Sequence, residues 1–491
     1  MFHRRRLSGR GPIGGARAVH GSGLVFDLVQ SALGKIEGDS TNAASLLTQA
    51  ARSDLTRDLE RLLLRILRPA LSTRIELTVP VDKSRYSPER SSSPQLILNI
   101  AALRLQEVFA LLPGAKQTVE TVVHDWVGAR RVMLRRLERD WTQVLSMLRH
   151  PAKRCINHLA TGLSDPHDRG QTVTTLDFTG GGRVVYKPRS CEAERIWFAA
   201  LKWLNREGFQ PSFYIPELIS RRNYCWMSFV QHRPCRSKRA VRDFYFRWGA
   251  QAAVAQLLGC GDLHRQNWVA SGEQPVLVDA EMLGFAFAAK GTERTRERQL
   301  HPLLRTGLVP LFKEDNAGYY SRIAPFDSVG NTDERNIFWP VYQGRSRLPR
   351  TYVDALVEGF LAASGFICAC CRTQSFERFV RRAVTRRKPR VLKRATEQYR
   401  RILDASLQPV HLRKHGDRLK FLMNRCGDGQ IGRVEAGCLF RCSVPRVTAH
   451  TNTNAGRRRR LPTFDAMSES AEWLRSRILA TRRIRKITVL A

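Results

Sequence analysis

The loop Gly261-Asp-Leu-His-Arg-Gln-Asn267 places a carboxylate, an imidazole and an amide within seven residues. Twelve residues beyond Asn267, the apolar run PVLVDAEML carries Asp279 and Glu281, two apart. Phosphoryl transfer calls for this inventory: a carboxylate to take the proton of an attacking hydroxyl, oxygen ligands for magnesium, and a cation for the nucleotide phosphates. Asp262 and His264 are the candidate proton-handling groups. Asn267, Asp279 and Glu281 are the candidate metal ligands. If the apolar run is a strand that reaches Asp279, the interval of two turns both carboxylates to one face. Lys187 supplies the cation, four residues after Arg183 and just beyond the glycines Gly180, Gly181 and Gly182, whose backbone could cover phosphates. A solvated lysine and a satisfied core histidine are the plain alternatives for Lys187 and His264.

Two further polar clusters stand apart from this set. Asp165 and His167 lie in LSDPHDRGQTV, where Pro166 and Gly170 also suit an ordinary turn. Arg390, Thr396 and Tyr399 lie in RKPRVLKRATEQYRR, which by itself reads as a solvated basic helix face. Arg390 and Arg394 share such a face only if the chain after Pro389 is helical.

The elements that must hold these residues follow from periodicity. Residues 24 to 68 read as helices, with apolar positions three and four apart up to Pro69. An extended piece RIELTVPV, a linker at 83 to 94 and a second helical stretch from 97 to 150 follow. In the latter, Leu134, Leu137, Trp141, Leu145 and Leu148 form a core-facing stripe. From residue 172, TVTTLDF and RVVYKP alternate as a hairpin around Thr179–Gly182. Then come a helix at 192 to 205, strands near 214 to 219 and 224 to 231, a helix at 237 to 258, the polar loop at 260 to 267 and a strand at 275 to 283. Strand, glycine loop, strand with Lys, helix, strands, helix, polar loop and acidic strand are ordered as in a kinase-like fold. The expected class is α+β, with a kinase-like (lipid-kinase-like) core at 151 to 450. A basic arm at 1 to 25 and a helical region at 26 to 150 precede it, helical additions end it, and a basic tail follows at 451 to 491.

Composition limits the alternatives. The 491 residues carry 82 Lys+Arg against 44 Asp+Glu, a net charge of +38, with 43% hydrophobic residues. A disordered polymer, a disulfide miniprotein and a fibre are excluded. No run of 18 to 20 uncharged apolar residues is seen, so no membrane span is expected. Eleven dispersed cysteines without paired CxxC motifs fit reduced thiols in a cytoplasmic protein and no zinc site. The basic segments, among them Arg457–Arg460, lack an aromatic ladder or finger spacing. A nucleic-acid partner is therefore not expected, and an acidic peptide or polyphosphate would be steered as well by this field.

Together, LSDPHDRGQTV, LDFTGGGRVVYKPRS, NYCWMSFV, GCGDLHRQNWVASGEQPVLVDAEML and RVLKRATEQYRRILDASLQPVHL resemble the dehydratase domain of type 2 lanthipeptide synthetases. They run in family order over roughly residues 98 to 450. The resemblance implies ATP- and magnesium-dependent phosphorylation of Ser or Thr in a ribosomal precursor peptide, whose leader is expected to be acidic. Elimination of the phosphate to dehydroalanine or dehydrobutyrine follows. Carried over by position, Lys187, Asp262, His264, Asn267, Asp279 and Glu281 serve phosphorylation, and Asp165, His167, Arg390 and Thr396 serve elimination. The usual zinc cyclase, with its adjacent Cys and His, has no counterpart motif here, so ring closure is not credited to this chain; a separate cyclase, uncatalysed thioether formation, a product left dehydrated and a truncated gene all stay open. Two other readings stay open: a phosphotransferase without elimination, and an inactive basic protein that binds peptide or nucleic acid.

Overall fold

The computed structural model describes residues 25–38, 44–71, 74–78, 95–99, 105–148, 155–284, 301–309, 324–326, 337–371, 376, 378–380, 390–391, 394, 396–448 and 463–480. The basic arm, the linker at 83 to 94 and the arginines at 381 to 387 and 457 to 460 lie outside the described residues.

Along the chain, α1 (Phe26–Glu37) and α2 (Gln49–Leu71) precede β1 (Arg74–Thr78) and β2 (Gln95–Asn99). Helices α3 (Leu105–Leu111) and α4 (Pro113–Ser146) lead into β3 (Ile156–Ala160), β4 (Thr174–Phe178) and β5 (Arg183–Lys187). Helix α5 (Glu192–Arg206), β6 (Leu218–Ser220), β7 (Cys225–Ser228), α6 (Lys238–Leu257), β8 (Trp268–Ser271) and β9 (Gln274–Leu277) follow. The remainder comprises α7 (Val353–Cys371), β10 (Arg390–Val391), α8 (Thr396–Ser406), α9 (Asp417–Cys426), α10 (Gln430–Phe440), β11 (Val447–Thr448) and α11 (Phe464–Ala480). Two expectations give way. Residues 95 to 99 form a strand paired with β1, so the helical stretch does not begin at 97. The strand expected to reach residue 283 ends at Leu277, because its pairing with β8 runs out there.

The chain divides into two compact units, Met1–Pro188 with Leu392–Arg446, and Arg189–Val391 with Val447–Ala491. In the first, α2 buries Ala51, Leu55, Leu59, Leu63, Leu67 and Ala70 at helical spacing. Each leucine so buried contributes about 1.5 to 3 kcal/mol. Leu134 and Leu137 of α4 are buried as expected, whereas Trp141, Leu145 and Leu148 are half-buried. Trp141 packs edge-on against Phe178 of β4, with ring centroids 5.8 Å apart. Strands β3, β4 and β5 are antiparallel neighbours, with Leu176 opposite Val184 and Thr174 opposite Tyr186. Helices α8 to α10 are held by Arg418, which is 2% exposed and donates to Ser406, Thr118, the carbonyls of Leu439 and Phe440, and the Cys442 sulfur.

In the second unit, α6 is buried along most of its length and α7 lies against it. A Cβ on Gly249 would collide with the Leu356 carbonyl, and one on Gly359 with the Phe246 carbonyl, so glycine sets how closely these helices approach. Among the described residues, Pro349–Cys370 is the one segment long and apolar enough to cross a membrane, by length and composition. Half of that window is buried, and its Gly359 face meets α6, which makes it a core helix. Trp268 of β8 is 6.3 Å from Trp197 of α5 and 5.5 Å from Trp248 of α6, centroid to centroid. These rings fix α5, α6 and the β8–β9 hairpin as one body. Cys191, just before α5, is disulfide-bonded to Cys225 on β7. The expectation of uniformly reduced thiols fails for this pair, since a separation of 34 residues carries no sign that the start of α5 meets β7.

Candidate active site

In the second unit the polar loop is folded onto the acidic segment by backbone hydrogen bonds. The Val278 N–H donates to the Asn267 carbonyl at 2.8 Å, and the Gly261 N–H donates to the Met282 carbonyl at 3.1 Å. Asp262 has a left-handed backbone, φ 58°, an uncommon state for a non-glycine residue. The loop is over-determined around it. The Leu263 N–H donates to Thr306 at 2.8 Å, Trp268 Nε1 donates to the Leu263 carbonyl at 3.2 Å, and Asn267 Nδ2 donates to the Asp262 carbonyl at 2.7 Å. Gly307, φ 76°, packs under the Asp262–Leu263 backbone. His264 Nε2 lies 3.7 Å from Asp262 Oδ1, and its Nδ1 is buried without a hydrogen-bond partner among the described residues. A core histidine satisfied at both nitrogens does not fit this.

Asp279 and Glu281 do converge, but for a reason other than strand pleating. Both lie in the loop beyond β9 and face the guanidinium of Arg189. Arg189 Nη2 donates to Asp279 Oδ1 at 2.7 Å, and its Nε is 3.9 Å from Glu281 Oε2. The same guanidinium forks onto Glu194 in the first turn of α5, at 2.5 and 3.1 Å. Burial works against the charged guanidinium, yet Asp279, Glu194 and Glu281 outweigh it and hold its pKa well above the ordinary value. Arg189 and Glu194 were not singled out from sequence. The available signal was Arg189 two residues after Lys187, with an acid five further on at a helix start.

In the first unit, Gly180, Gly181 and Gly182 take φ of 90°, 105° and 92°, conformations that side chains rarely allow. The hairpin they close carries Lys187 at the end of β5, 3% exposed, so the solvated-lysine alternative does not hold. Asp165 accepts from Arg400 Nη2 at 2.8 Å, the main reason the pKa of Arg400 is raised. His167 Nδ1 donates to the Val444 carbonyl at 2.7 Å, which places the basic nitrogen of the neutral ring at Nε2. Thr396 begins α8 and Arg400 lies four residues on, so the two share a helix face. Tyr399 is buried, donates to Glu435 at 2.5 Å, and has its pKa pushed up by burial and then by that carboxylate. Arg390 lies on β10, opposite Thr448 of β11, and belongs to the second unit. It therefore shares no helix face with Arg394, which meets Glu435 at 3.5 Å in the first.

Among the described residues no three His, Cys, Asp or Glu side chains are gathered tightly enough to hold a metal. The candidate oxygen set is instead two carboxylates and an amide. Asn267 directs its amide nitrogen to Asp262, and both hydrogen bonds recorded on Asp279 fall on Oδ1. This hard-oxygen chemistry suits magnesium, which binds through one or two carboxylates and keeps waters.

Residues 113–448 match a family described as a domain of unknown function, DUF4135. The chain is 23% identical over 317 residues to the lacticin 481/lactococcin biosynthesis protein LcnDR2 of Lactococcus lactis subsp. lactis, a match covering 56% of this chain and 34% of that protein. The chain thus spans about a third of the length of the curated relative it matches. The family match takes in all five stretches that carry the motif resemblance; the chain belongs to the DUF4135 family and is similar to the type 2 lanthipeptide synthetases.

Proposed function

We propose that this chain is a peptide dehydratase of lanthipeptide biosynthesis with a kinase-like core, using ATP and magnesium. The similarity to a lacticin 481/lactococcin biosynthesis protein supports a precursor peptide as substrate. The observation that carries the chemical reading is the stitched pair of segments 261–267 and 278–282, which holds the segment of the left-handed Asp262 against the one that carries Asp279 and Glu281.

In the first half-reaction Asp262 accepts the proton of the substrate Ser or Thr hydroxyl as its oxygen attacks the γ-phosphorus of ATP, and the bond from that phosphorus to the β–γ bridging oxygen breaks to release ADP. His264, 3.7 Å away, sets the charge around that carboxylate. Lys187 and the glycine backbone of 180–182 hold the nucleotide phosphates. Magnesium, when bound, offsets negative charge on the transferring phosphoryl group, with Asn267, Asp279 and Glu281 as its protein ligands. In the second half-reaction a base removes the Cα proton, that electron pair becomes the Cα–Cβ double bond, and the Cβ–O bond breaks to release phosphate. His167, with its basic nitrogen at Nε2, and Asp165, oriented by Arg400, are the proton-handling groups. Arg390 and Thr396 bind the departing phosphate.

The test is mass spectrometry of a precursor peptide incubated with the protein, ATP and magnesium. The expected product is lighter by about 18 Da per modified residue, and Arg390→Ala should give a product heavier by about 80 Da. Asp262→Asn should slow phosphorylation by about 10²- to 10⁴-fold. Phosphate gain with the unaltered protein would replace the dehydratase reading with a plain phosphotransferase. No ATP turnover with a peptide shown to bind would leave a binding protein.

A further inference from the structure

Arg189 is buried and contacts three carboxylates from two parts of the second unit: Glu194 on α5, and Asp279 and Glu281 in the loop after β9. On Asp279 the bond from Arg189 and the bond from the Glu281 N–H at 3.1 Å both fall on Oδ1. One oxygen of the carboxylate is thus fixed by protein donors, which sets the direction in which Oδ2 points. A metal-ligating carboxylate needs this arrangement, because the outer partner decides where the ligand lone pairs lie.

We propose that Arg189 is a positioning residue for a divalent cation: it clamps Asp279, and through it the following Glu281, to the start of α5 by way of Glu194. The proposal rests on the reading that Asp279 and Glu281 are metal ligands. Arginine suits the task and lysine does not. A planar guanidinium can fork onto Glu194 through Nη1 and Nη2 while also reaching Asp279 and Glu281, whereas an ammonium is a single point of charge on a flexible stem. Glu194 is fully buried, and its helix is locked by Trp197 against Trp268, so the clamp has a rigid anchor. The arrangement couples the position of α5 to the aim of the metal carboxylates within one side chain.

Manganese, which gives a direct paramagnetic resonance signal, is a suitable probe on the full chain. Dissociation constants for Mn²⁺ are measured for the unaltered protein, Arg189→Lys, Glu194→Gln, Asp279→Asn and Arg418→Met, each checked by circular dichroism and melting temperature. The expected result is loss of the site in Asp279→Asn, with affinity weakened about 10- to 100-fold in Arg189→Lys and nearer 10-fold in Glu194→Gln. Arg418→Met, which removes a buried arginine of the first unit, should lower the melting temperature and leave the Mn²⁺ constant unchanged. Affinity lost in Asp279→Asn but kept in folded Arg189→Lys and Glu194→Gln overturns the positioning role. Affinity kept in Asp279→Asn overturns the metal reading itself, and the proposal with it. Should Arg189→Lys not fold, Glu194→Gln, which preserves shape and removes charge, decides alone.

Discussion

Each unit buries two arginines among the described residues, Arg130 and Arg418 in the first and Arg189 and Arg247 in the second, and the partners of Arg418 and Arg189 differ in kind. Arg418, in the first, donates to a serine and a threonine hydroxyl, a cysteine sulfur and the carbonyls of Leu439 and Phe440 at the end of α10. Those carbonyls lie at the last turn of the helix, where the Leu439 carbonyl also accepts from the Cys442 N–H, and they carry the negative pole of its dipole. Arg189, in the second, also donates to the Ser190 carbonyl and the Cys191 sulfur, but three carboxylates face it, and two of those belong to the loop proposed to bind metal. A cation spent on neutral backbone oxygens closes a fold. A cation held by carboxylates that have chemistry to perform fixes where their oxygens lie. Burial alone therefore does not separate Arg418 from Arg189; what their acceptors belong to does.

The strongest way to break this contrast is Arg418→Met. Five donor contacts vanish and several buried acceptors lose their partner, so a loss of about 3 kcal/mol or more is expected in denaturant unfolding of the first unit. A variant as stable as the parent would show that the α8–α10 helices need no central cation. Acid sharpens the contrast from the other unit. His301 stacks on Trp473 at 3.9 Å between ring centroids, and its Nδ1 accepts from the Leu303 N–H. Burial, helped by Arg305, lowers its pKa from 6.5 to about 4. Between those values the unfolded chain binds a proton that the folded chain refuses, so stability rises with pH across the window and is lost as pH falls from 6.5 toward 4. The ring is half-exposed, so the amplitude is about 1 kcal/mol, and His301→Phe should flatten that part of the pH profile. The smallest effect is expected at Arg400→Gln. Its side chain is 49% exposed, and an exposed ion pair with Asp165 contributes no more than about 0.5 kcal/mol to stability. A drop above 1 kcal/mol in thermal unfolding would move Arg400 into the class of Arg418.

The polar loop and its acids were legible because their residue types and intervals are themselves the requirement of the chemistry. The reason Asp279 and Glu281 converge was not. A two-residue interval suggested a strand face, but the strand stops at Leu277 and a guanidinium does the gathering. Arg390 and Arg394, four apart, suggested a shared helix face, yet one sits in a strand opposite Thr448 and the other meets Glu435. Asp165 and His167 looked like an ordinary turn. They are also that, since Pro166 and His167 dock on the chain around Val444, 277 residues further on.

By itself the sequence determined the local elements. The period of apolar residues fixed α2, α5 and α6, three glycines fixed the hairpin before Lys187, and the order of parts fixed the motif resemblance, because each depends on neighbours within one or two turns of chain. Tertiary structure alone decided which carboxylates share a cation, that Cys191 meets Cys225, and that Arg418 ends α10. Those pairings join residues far apart in sequence, and their energy comes from burial and from polar groups that must find partners once water is gone.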